Sequence, residues 1–522
     1  MSRPSSQPPA PDSRGLGSHA LSGTGWSAFQ GVANKMATMA STLLLARFLG
    51  PGDYGVSALV LGIAGFLLVL PPLVMGDVLI SHQRHLDAVQ PVAWRMVLTS
   101  SIASSLVMLL SIPACIAFYP KFDGGTLAAL MVVIAMRPVV DAMCVVPLSR
   151  LRSSLRFRTI AAIDGVVQLA ATGATIALAA SGAGPMSLVA PQVASSIARM
   201  LMYFVVTRRE GRTPVPIAIR RSAAWRRRLR RDFVVAALAQ YTHTLISNLP
   251  MLFLGRLADQ TDTGIYTFAF YLSVQATFVI SQQVGSVLQP IFVKLRHDPV
   301  RQAKSYLRVI AAIGAVAVPL SLLQAALAEP VLLVLFGPKW SSAVPTFIVL
   351  SVGQAFFFAV APTMAMLRAQ GRFRALLVWQ VVQLLCSAGA YAAAASRGAV
   401  PTAIVDTIAW ALAIPIAAWV CVRGREAAVA DILRALAGPW LSAIPCAAAA
   451  WGCWVLLRPS GLEGALVAVV IVGPALAAAS LVAMRFTQPA TYLELAPMVG
   501  RSARSVARLP QAILSRAFSR GA

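Results

Sequence analysis

Residues 47–55 read RFLGPGDYG, and residues 256–264 read RLADQTDTG. In both stretches an arginine and a glycine are eight residues apart, and an aspartate (Asp53 or Asp262) stands two residues before the glycine. A second match joins Leu-Arg and Arg-Phe-Arg at 151–158 to the same residues at 367–374. The two offsets, 209 and 216 residues, are nearly equal. These matches indicate an internal repeat.

The composition places this repeat in a membrane. Of 522 residues, 58% are hydrophobic and only 12% are charged, and the mean hydropathy is +0.74. Soluble globular proteins carry about 25% charged residues, so the chain has too little polar surface for a water-soluble body. The net charge of +26 would ordinarily favour nucleic acid as a partner. We expect no nucleic acid, because long apolar runs separate the basic clusters.

Fourteen stretches are long and apolar enough to cross a bilayer, which takes about 20 residues. They lie at roughly 24–49, 56–80, 92–119, 125–147, 159–180, 186–207, 233–256, 264–292, 306–328, 341–367, 373–395, 401–422, 438–457 and 463–484. If both termini are cytoplasmic, 35 of the 44 lysines and arginines fall in cytoplasmic segments, six in outer loops and three within spans. This alternation follows the positive-inside rule and supports the count of spans.

The repeat unit covers six spans, and an even number keeps both copies in the same orientation. We therefore predict an all-α polytopic membrane protein with two six-helix lobes, related by a pseudo-two-fold axis along the membrane normal, and two further C-terminal helices. The predicted segments are a disordered cytoplasmic tail (1–20), lobe 1 (21–207), an arginine-rich cytoplasmic linker (208–232), lobe 2 (233–422), spans 13 and 14 (438–484) and a basic cytoplasmic tail (485–522).

Three basic residues within the spans are the sharpest functional signal, and all three belong to lobe 1: Lys35, Arg137 and Arg199. A charge at the centre of a bilayer costs about 2.5–3.5 kcal/mol on insertion scales, so it usually has a partner or faces water. One interpretation is structural ion pairing, of Arg137 with Asp141 and of Asp164 with Lys35 or Arg199. The other is a cationic lumen that binds an anion such as a phosphate.

Polar stripes run along paired helices of the two lobes. Span 1 carries Gln30 and Asn34, span 7 carries Gln240, and span 11 carries Gln380, Gln383 and Ser387. Hydrogen bonding between helices would explain one stripe. Stripes on partner helices of both lobes favour a hydrated central cavity that binds substrate.

The remaining candidates have other roles. Asp164, Asp406 and His243 are candidates for coupling to protons or Na⁺. In the repeated turns we expect Gly55 and Gly264 to allow a tight reversal and Arg47 and Arg256 to sit at the membrane interface. The six cysteines and five histidines show no ligand spacing, so we expect neither a metal site nor a cofactor.

Three stretches, at 26–59, 264–295 and 330–351, resemble bacterial polysaccharide-transport flippases of the Wzx type, within the multidrug/oligosaccharidyl-lipid/polysaccharide exporter superfamily. The segments ARFLGPGDYG and LFGPKW carry the resemblance most specifically. It implies a V-shaped transporter in the bacterial inner membrane that moves an undecaprenyl-diphosphate-linked oligosaccharide outward by alternating access, for exopolysaccharide or lipopolysaccharide synthesis. It also implies luminal cations for the diphosphate, a role carried over to Lys35, Arg137 and Arg199.

Two other functions stay open at this point. A drug/cation antiporter of the same superfamily should place acidic or aromatic residues in its cavity, whereas the charges of lobe 1 are mostly basic. A membrane polymerase or ligase usually has a long outer loop with catalytic residues, and every outer loop here is short. We therefore predict a transporter and no enzyme. Its partners would be the lipid-linked substrate, membrane lipids, and a polymerase and chain-length regulator of the same process.

Overall fold

The computed structural model of the protein describes residues 44–67, 75, 86–153, 156–209, 223–424 and 429–487. Within this part of the chain the regular structure is helical and no strand occurs, which confirms the all-α prediction. Nine of the described segments are long and apolar enough to cross a membrane, and the last of them, 429–487, holds two predicted spans. The chain is a multi-pass membrane protein.

The chain divides into two compact units on either side of the bond between Asn248 and Leu249. The helices that begin in unit 1 are α1 (Pro51–Leu67), α2 (Leu86–Leu110), α3 (Ile112–Phe118), α4 (Gly124–Ala135), α5 (Arg137–Ser153), α6 (Phe157–Ala180), α7 (Met186–Arg209) and α8 (Ala223–Leu257). Those of unit 2 are α9 (Gln260–Lys294), α10 (Pro299–Ala326), α11 (Ala328–Phe336), α12 (Val344–Phe357), α13 (Val360–Ala369), α14 (Phe373–Ala394), α15 (Ala399–Val422), α16 (Val429–Leu457), α17 (Gly461–Val467) and α18 (Gly473–Thr487).

Helix α8 begins earlier than span 7. It starts at Ala223, inside the basic segment that the sequence assigns to the linker. Leu229 is fully buried in a cluster with Val97 of α2 and Val145 of α5, while Arg227 and Arg230 are exposed. Arg227 and Arg230 therefore stand on the outside of a helix whose Leu229 packs within unit 1.

Predicted span 4 consists of two helices. Helix α4 ends at Ala135, and α5 begins at Arg137, directly before Pro138. Proline has no amide hydrogen, so Pro138 cannot donate to the carbonyl oxygen of Ile134 and the helical hydrogen-bond pattern is interrupted there. The break follows from this sequence, and it puts Arg137 at the start of a helix.

The repeated turn makes the same contact in each unit. In unit 1, Asp53 lies against the α6–α7 loop, where Ser57 Oγ donates to the carbonyl oxygen of Pro185 at 3.1 Å. In unit 2, Asp262 lies against the α14–α15 loop and accepts a 3.4 Å hydrogen bond from the Ala399 amide. Burial raises the pKa of the Asp262 carboxyl above its ordinary value, although this bond acts in the opposite direction. The shared contact confirms the internal repeat.

Gly55 and Gly264 do not form a tight reversal, contrary to the expectation from sequence. Both are buried within the first turns of helices, Gly55 in α1 and Gly264 in α9. Glycines with positive φ occur instead in the loops that receive the turn aspartates: Gly184 has φ +52° and Gly398 has φ +103°. Arg47 and Arg256 are exposed, in agreement with an interfacial position.

Gly398 offers a direct test of this contact. A Cβ atom there would lie 3.1 Å and 3.3 Å from the two carboxylate oxygens of Asp262. Gly337 is a matched control, because its backbone has nearly the same conformation (φ +78°, ψ −178°, against φ +103°, ψ −169° at Gly398) and nothing lies within 4 Å of its added Cβ. We expect Gly398→Ala to lower the free energy of unfolding by about 1–2 kcal/mol more than Gly337→Ala, since both pay a similar backbone strain but only the first disturbs a hydrogen bond.

The measurement is thermal or denaturant unfolding in detergent, followed by tryptophan fluorescence. Equal destabilisation by the two alanine variants would contradict the contact between Asp262 and the α14–α15 loop.

The LFGPKW segment has a packing role. Gly337, with φ +78°, ends α11 and turns the chain into a short 3₁₀ helix. This turn places Trp340, which is fully buried, in a stack on Phe268 with ring centroids 3.8 Å apart, and Phe336 meets the edge of Phe268 at 4.9 Å. These aromatic contacts therefore hold the connection between α11 and α12 against α9.

The last two spans make both polar and apolar contacts with the rest of unit 2. Glu329 at the start of α11 accepts a 3.0 Å hydrogen bond from Trp454 Nε1 and forms a 2.8 Å ion pair with Arg458. Leu323 and Leu327 pack nearby with Trp454 and Ala468 in one apolar cluster. Spans 13 and 14 are thus part of unit 2.

Candidate functional site

Arg137 is the first residue of α5, and its guanidinium is held by two neighbours. Its Nε lies 3.3 Å from Asp141 Oδ2, one turn along the same helix, and its Nη1 donates to Gln192 Oε1 of α7 at 2.6 Å. The side chains of Arg137 and Asp141 are 28% and 24% exposed. A guanidinium carries five N–H donors, so these two contacts leave most of its donors available to an anion.

Arg199 lies on α7 in a second pair. Its Nε is 3.1 Å from Asp164 Oδ1 of α6, and the same oxygen accepts a 3.1 Å hydrogen bond from the hydroxyl of Tyr203. Tyr203 is fully buried, whereas the Arg199 and Asp164 side chains are 30% and 40% exposed. The buried phenol therefore fixes the carboxylate beside Arg199, and the contact between the carboxylate and Arg199 Nε is an ion pair without a hydrogen bond.

The two pairs belong to one polar cluster on α5, α6 and α7. Cys144, a buried free thiol one turn beyond Asp141, packs with Tyr203 in the same apolar cluster and lies within electrostatic reach of Asp141, Asp164 and Arg199. We call Arg137, Asp141, Asp164, Gln192, Arg199 and Tyr203 the lobe-1 polar cluster. Its two arginines are balanced by two aspartates, so its formal charge is zero.

This arrangement confirms two of the pairings that the sequence offered, Arg137 with Asp141 and Arg199 with Asp164. Gln192 and Tyr203 were not predicted from the sequence. Both are polar residues within the apolar stretch of predicted span 6. A polar residue at such a position was the signal that could have identified them as candidates.

Several predicted site residues cannot be placed. Gln30, Asn34 and Lys35 lie outside the described residues. Gln240 and His243 lie in α8, but their side chains are outside the described part of the structure. Within that part, no three His, Cys, Asp or Glu side chains are grouped as metal ligands.

Asp406 is the buried acid of unit 2. It lies on α15, is 9% exposed, and accepts a 2.5 Å hydrogen bond from the hydroxyl of Tyr391 on α14. The Tyr266 hydroxyl of α9 and the Trp410 side chain adjoin the same carboxyl group. No described lysine or arginine forms an ion pair with it. Asp406 is therefore a carboxyl group whose immediate neighbours are neutral hydrogen-bond donors.

The polar stripe of span 11 lies inside unit 2. Gln380, Gln383 and Ser387 of α14 are 3%, 7% and 3% exposed. They do not line open water within this unit, contrary to the interpretation from sequence. In unit 1, by contrast, Asp164 and Gln168 of α6 are half-buried, which leaves the lobe-1 polar cluster as the more accessible polar site.

Residues 44–345 match the family model described as "Polysaccharide biosynthesis protein". The succinoglycan biosynthesis transport protein ExoT of Rhizobium meliloti is 24% identical over 432 residues, covering 81% of this chain and 83% of that protein. The teichuronic acid biosynthesis protein TuaB of Bacillus subtilis is 26% identical over 189 residues, covering 35% and 38%.

Two solved structures share the fold. Lipid II flippase MurJ in an inward closed conformation superposes with a TM-score of 0.67 at 11% identity, covering 88% of this chain and 98% of that chain. An inward-facing multidrug resistance MATE transporter superposes with a TM-score of 0.54 at 15% identity, covering 76% and 96%. At such low identity these likenesses concern the fold alone, whereas the family model matches more than half of the sequence. This chain belongs to the polysaccharide biosynthesis protein family.

Proposed function

We propose that this protein is a flippase that translocates undecaprenyl-diphosphate-linked oligosaccharide units across the bacterial inner membrane by alternating access, with both termini in the cytoplasm. The observation that carries the proposal is the lobe-1 polar cluster, where two arginines stand within membrane spans and remain about 30% exposed. The transport function named for ExoT and the family membership support it.

The chemistry of the cluster suits a diphosphate. Arginine matches phosphate oxygens with two parallel N–H donors, and such charge-assisted bonds are about twice as strong as neutral ones. Arg137 and Arg199 are each paired with one carboxylate at 3.3 Å and 3.1 Å. A diphosphate that enters the cluster binds the N–H donors that the guanidinium groups do not use for Asp141 and Asp164, so both carboxylates keep their cationic partners.

The zero net charge of the lobe-1 polar cluster has a function while no substrate is bound. Unpaired arginines in a membrane are costly, and ion pairing with Asp141 and Asp164 removes that cost when no substrate is bound. Lys35 adds the third cation, and Gln30, Asn34 and Gln240 contact the glycan or the diphosphate. The prenyl chain remains in lipid. The substrate passes to a polymerase and a chain-length regulator, and the protein itself performs no chemical reaction.

Asp406, Asp164 and His243 are the proposed coupling residues. Asp406 carries this role best among the described residues, because a buried carboxylate with neutral neighbours gains from binding a proton or a cation. Asp164 is already engaged by Arg199 and Tyr203.

The test uses purified protein in liposomes with a fluorescent undecaprenyl-diphosphate oligosaccharide, and measures its movement between leaflets. Lys35→Ala and Arg137→Ala, made separately, should each abolish most of this movement and the export of polymer in cells. Normal export by folded variants would remove the diphosphate role. Transport of a cationic dye without movement of the lipid-linked sugar would identify a drug antiporter instead.

A further inference from the structure

Helices α14 and α15, which pack against each other, both have an exposed apolar face. The exposed residues of α15 are all large and apolar: Ile404, Ile408, Leu412, Ile416 and Trp419. Among the described side chains of α14, the exposed ones that follow Arg374 are Leu377, Val378, Val381, Val382, Leu385, Cys386, Gly389, Ala392 and Ala393. Exposed apolar surface of this extent on a membrane-spanning helix is suited to contact with lipid.

The exposed face of α15 is long enough to accompany a lipid chain through one leaflet. Its five exposed residues are spaced three or four positions apart, so they lie on one side of the helix and form a strip. From Ile404 to Trp419 the helix rises about 23 Å, whereas one leaflet takes up about half of the roughly 30 Å hydrocarbon core. An acyl chain that lies along this strip therefore contacts α15 over its whole length.

A cation stands at one end of the strip. Arg423, the C-cap of α15, is exposed, and its guanidinium carbon lies 4.8 Å from the centroid of the Trp419 ring. This cation–π contact holds the guanidinium over the indole, while the N–H donors at its edge stay available to an anion. The sequence assigns this end of α15 to the cytoplasmic side. Tryptophan at the end of an apolar strip is typical of the membrane interface.

The turn between α13 and α14 lies against the last turn of α15. Gln370 Nε2 donates to the carbonyl oxygen of Cys421 at 2.9 Å, and Arg372 Nη1 donates to the carbonyl oxygen of Val420. The last carbonyl oxygens of a helix have no partner within it, so the turn supplies their donors. These bonds fix the start of α14 beside the end of α15.

A second cation, Arg374, consequently lies at the same end of the helix pair as Arg423. It is exposed in the first turn of α14, one turn before the exposed Val378. Within the part of the chain that the structure describes, neither arginine is within ion-pair distance of a carboxylate. This end of the pair therefore presents two positive charges next to two apolar faces.

We infer that the cytoplasmic end of α14 and α15 binds an anionic phospholipid of the inner leaflet, with its phosphate on Arg423 and Arg374 and an acyl chain along the exposed strip of α15. Arginine N–H groups match phosphate oxygens, and the strip matches hydrocarbon. Inorganic phosphate has no hydrocarbon for the strip, and a polyprenyl phosphate has to displace phospholipids that surround an exposed helix at far higher concentration. This binding does not depend on which molecule the protein transports.

The test measures the affinity of fluorescent phosphatidylglycerol for the full-length protein in detergent. Wild type is compared with Arg423→Gln and with R374Q/R423Q. Each basic residue near an anionic surface contributes roughly a factor of five, so the single variant should bind about five-fold and the double variant about 25-fold more weakly. Trp419→Leu keeps an apolar side chain but removes the indole beneath Arg423, and it should weaken binding about two- to five-fold.

Arg397→Gln is the matched control. Arg397 is exposed in the short 3₁₀ helix between α14 and α15, at the opposite end of the same helix pair. The control removes one positive charge, as Arg423→Gln does, but leaves the proposed site intact. Its affinity for phosphatidylglycerol should stay within about two-fold of wild type.

Other ligands identify the chemistry. Phosphatidylcholine, whose head group is neutral overall, should bind all forms alike, and equimolar inorganic phosphate should not displace phosphatidylglycerol. If R374Q/R423Q does not elute as a folded monodisperse protein, the losses in Arg423→Gln and Trp419→Leu decide the question. Unchanged affinity in Arg423→Gln, an equal loss in Arg397→Gln, displacement by equimolar phosphate, or stronger displacement by undecaprenyl phosphate than by unlabelled phosphatidylglycerol would each overturn the inference.

Discussion

Replacing Arg137 and Asp141 together, by Gln and Asn, will leave the protein folded and will reduce movement of lipid-linked oligosaccharide by about 10–100-fold. The two side chains neutralise each other at 3.3 Å, so removing both avoids leaving an uncompensated charge within the membrane. The loss of transport follows from the missing phosphate contact, because a hydrogen bond to a charged group contributes about 1.5–3 kcal/mol.

The single variants separate this role from a structural one. Asp141→Asn alone leaves Arg137 without its carboxylate but still able to bind phosphate, so it should lower the unfolding midpoint and preserve transport. If Arg137 serves only to neutralise Asp141, the double variant will transport normally, and Asp141→Asn, which leaves Arg137 without its carboxylate, will transport less than the double variant. The exposed Arg434–Asp431 pair, 3.6 Å apart, provides the control: its double replacement should change neither stability nor transport measurably.

Local spacing explains why part of this cluster was predictable. Arg137 and Asp141 are four residues apart, and that separation puts two side chains on one face of any helix. Gln192 is 55 residues from Arg137 and Tyr203 is 39 residues from Asp164. Contacts between residues so far apart in the sequence depend on how α5, α6 and α7 pack, and the charge pattern of the sequence does not specify that packing.

For the internal repeat, too, the sequence pattern predicts that two related units exist but not where each residue lies in them. Matching turns at 47–55 and 256–264 predict two related units, and the contacts of Asp53 and Asp262 confirm them. The predicted roles of Gly55 and Gly264 were wrong, because α1 and α9 start earlier than the apolar stretches from which spans 2 and 8 were predicted. An N-terminal helical turn can be polar, so hydropathy places the start of a helix late.

The span 11 stripe illustrates a further limit. A polar face at helical spacing indicates that one side of α14 meets something polar, but it does not identify the neighbour. Gln380 and Gln383 are buried in unit 2, where interhelical packing surrounds them. Their burial argues against contact with open water, but the side-chain oxygen of Gln380 has no hydrogen-bond partner among the described residues, so hydrogen bonding between helices does not account for it either.

Asp406→Asn should abolish the part of transport that depends on an ion gradient while leaving the fold intact. Asparagine has nearly the same shape as aspartate and keeps an oxygen to accept the 2.5 Å bond from Tyr391, so packing is preserved. It carries no ionisable carboxyl group and therefore cannot take up and release a proton or balance the charge of Na⁺. With gradient-driven movement removed, we expect the initial rate under an imposed pH or Na⁺ gradient to fall to the rate measured without one.

Tyr391→Phe distinguishes coupling from hydrogen bonding. This variant keeps the Asp406 carboxyl group but removes the donor, so it should lower the unfolding midpoint, at a cost of about 1–3 kcal/mol, and should retain gradient dependence. If Asp406 is only an acceptor for Tyr391, the two variants will behave alike and Asp406→Asn will still respond to the gradient. The decisive comparison is the ratio of rates with and without the gradient, because loss of stability lowers both rates and leaves their ratio unchanged.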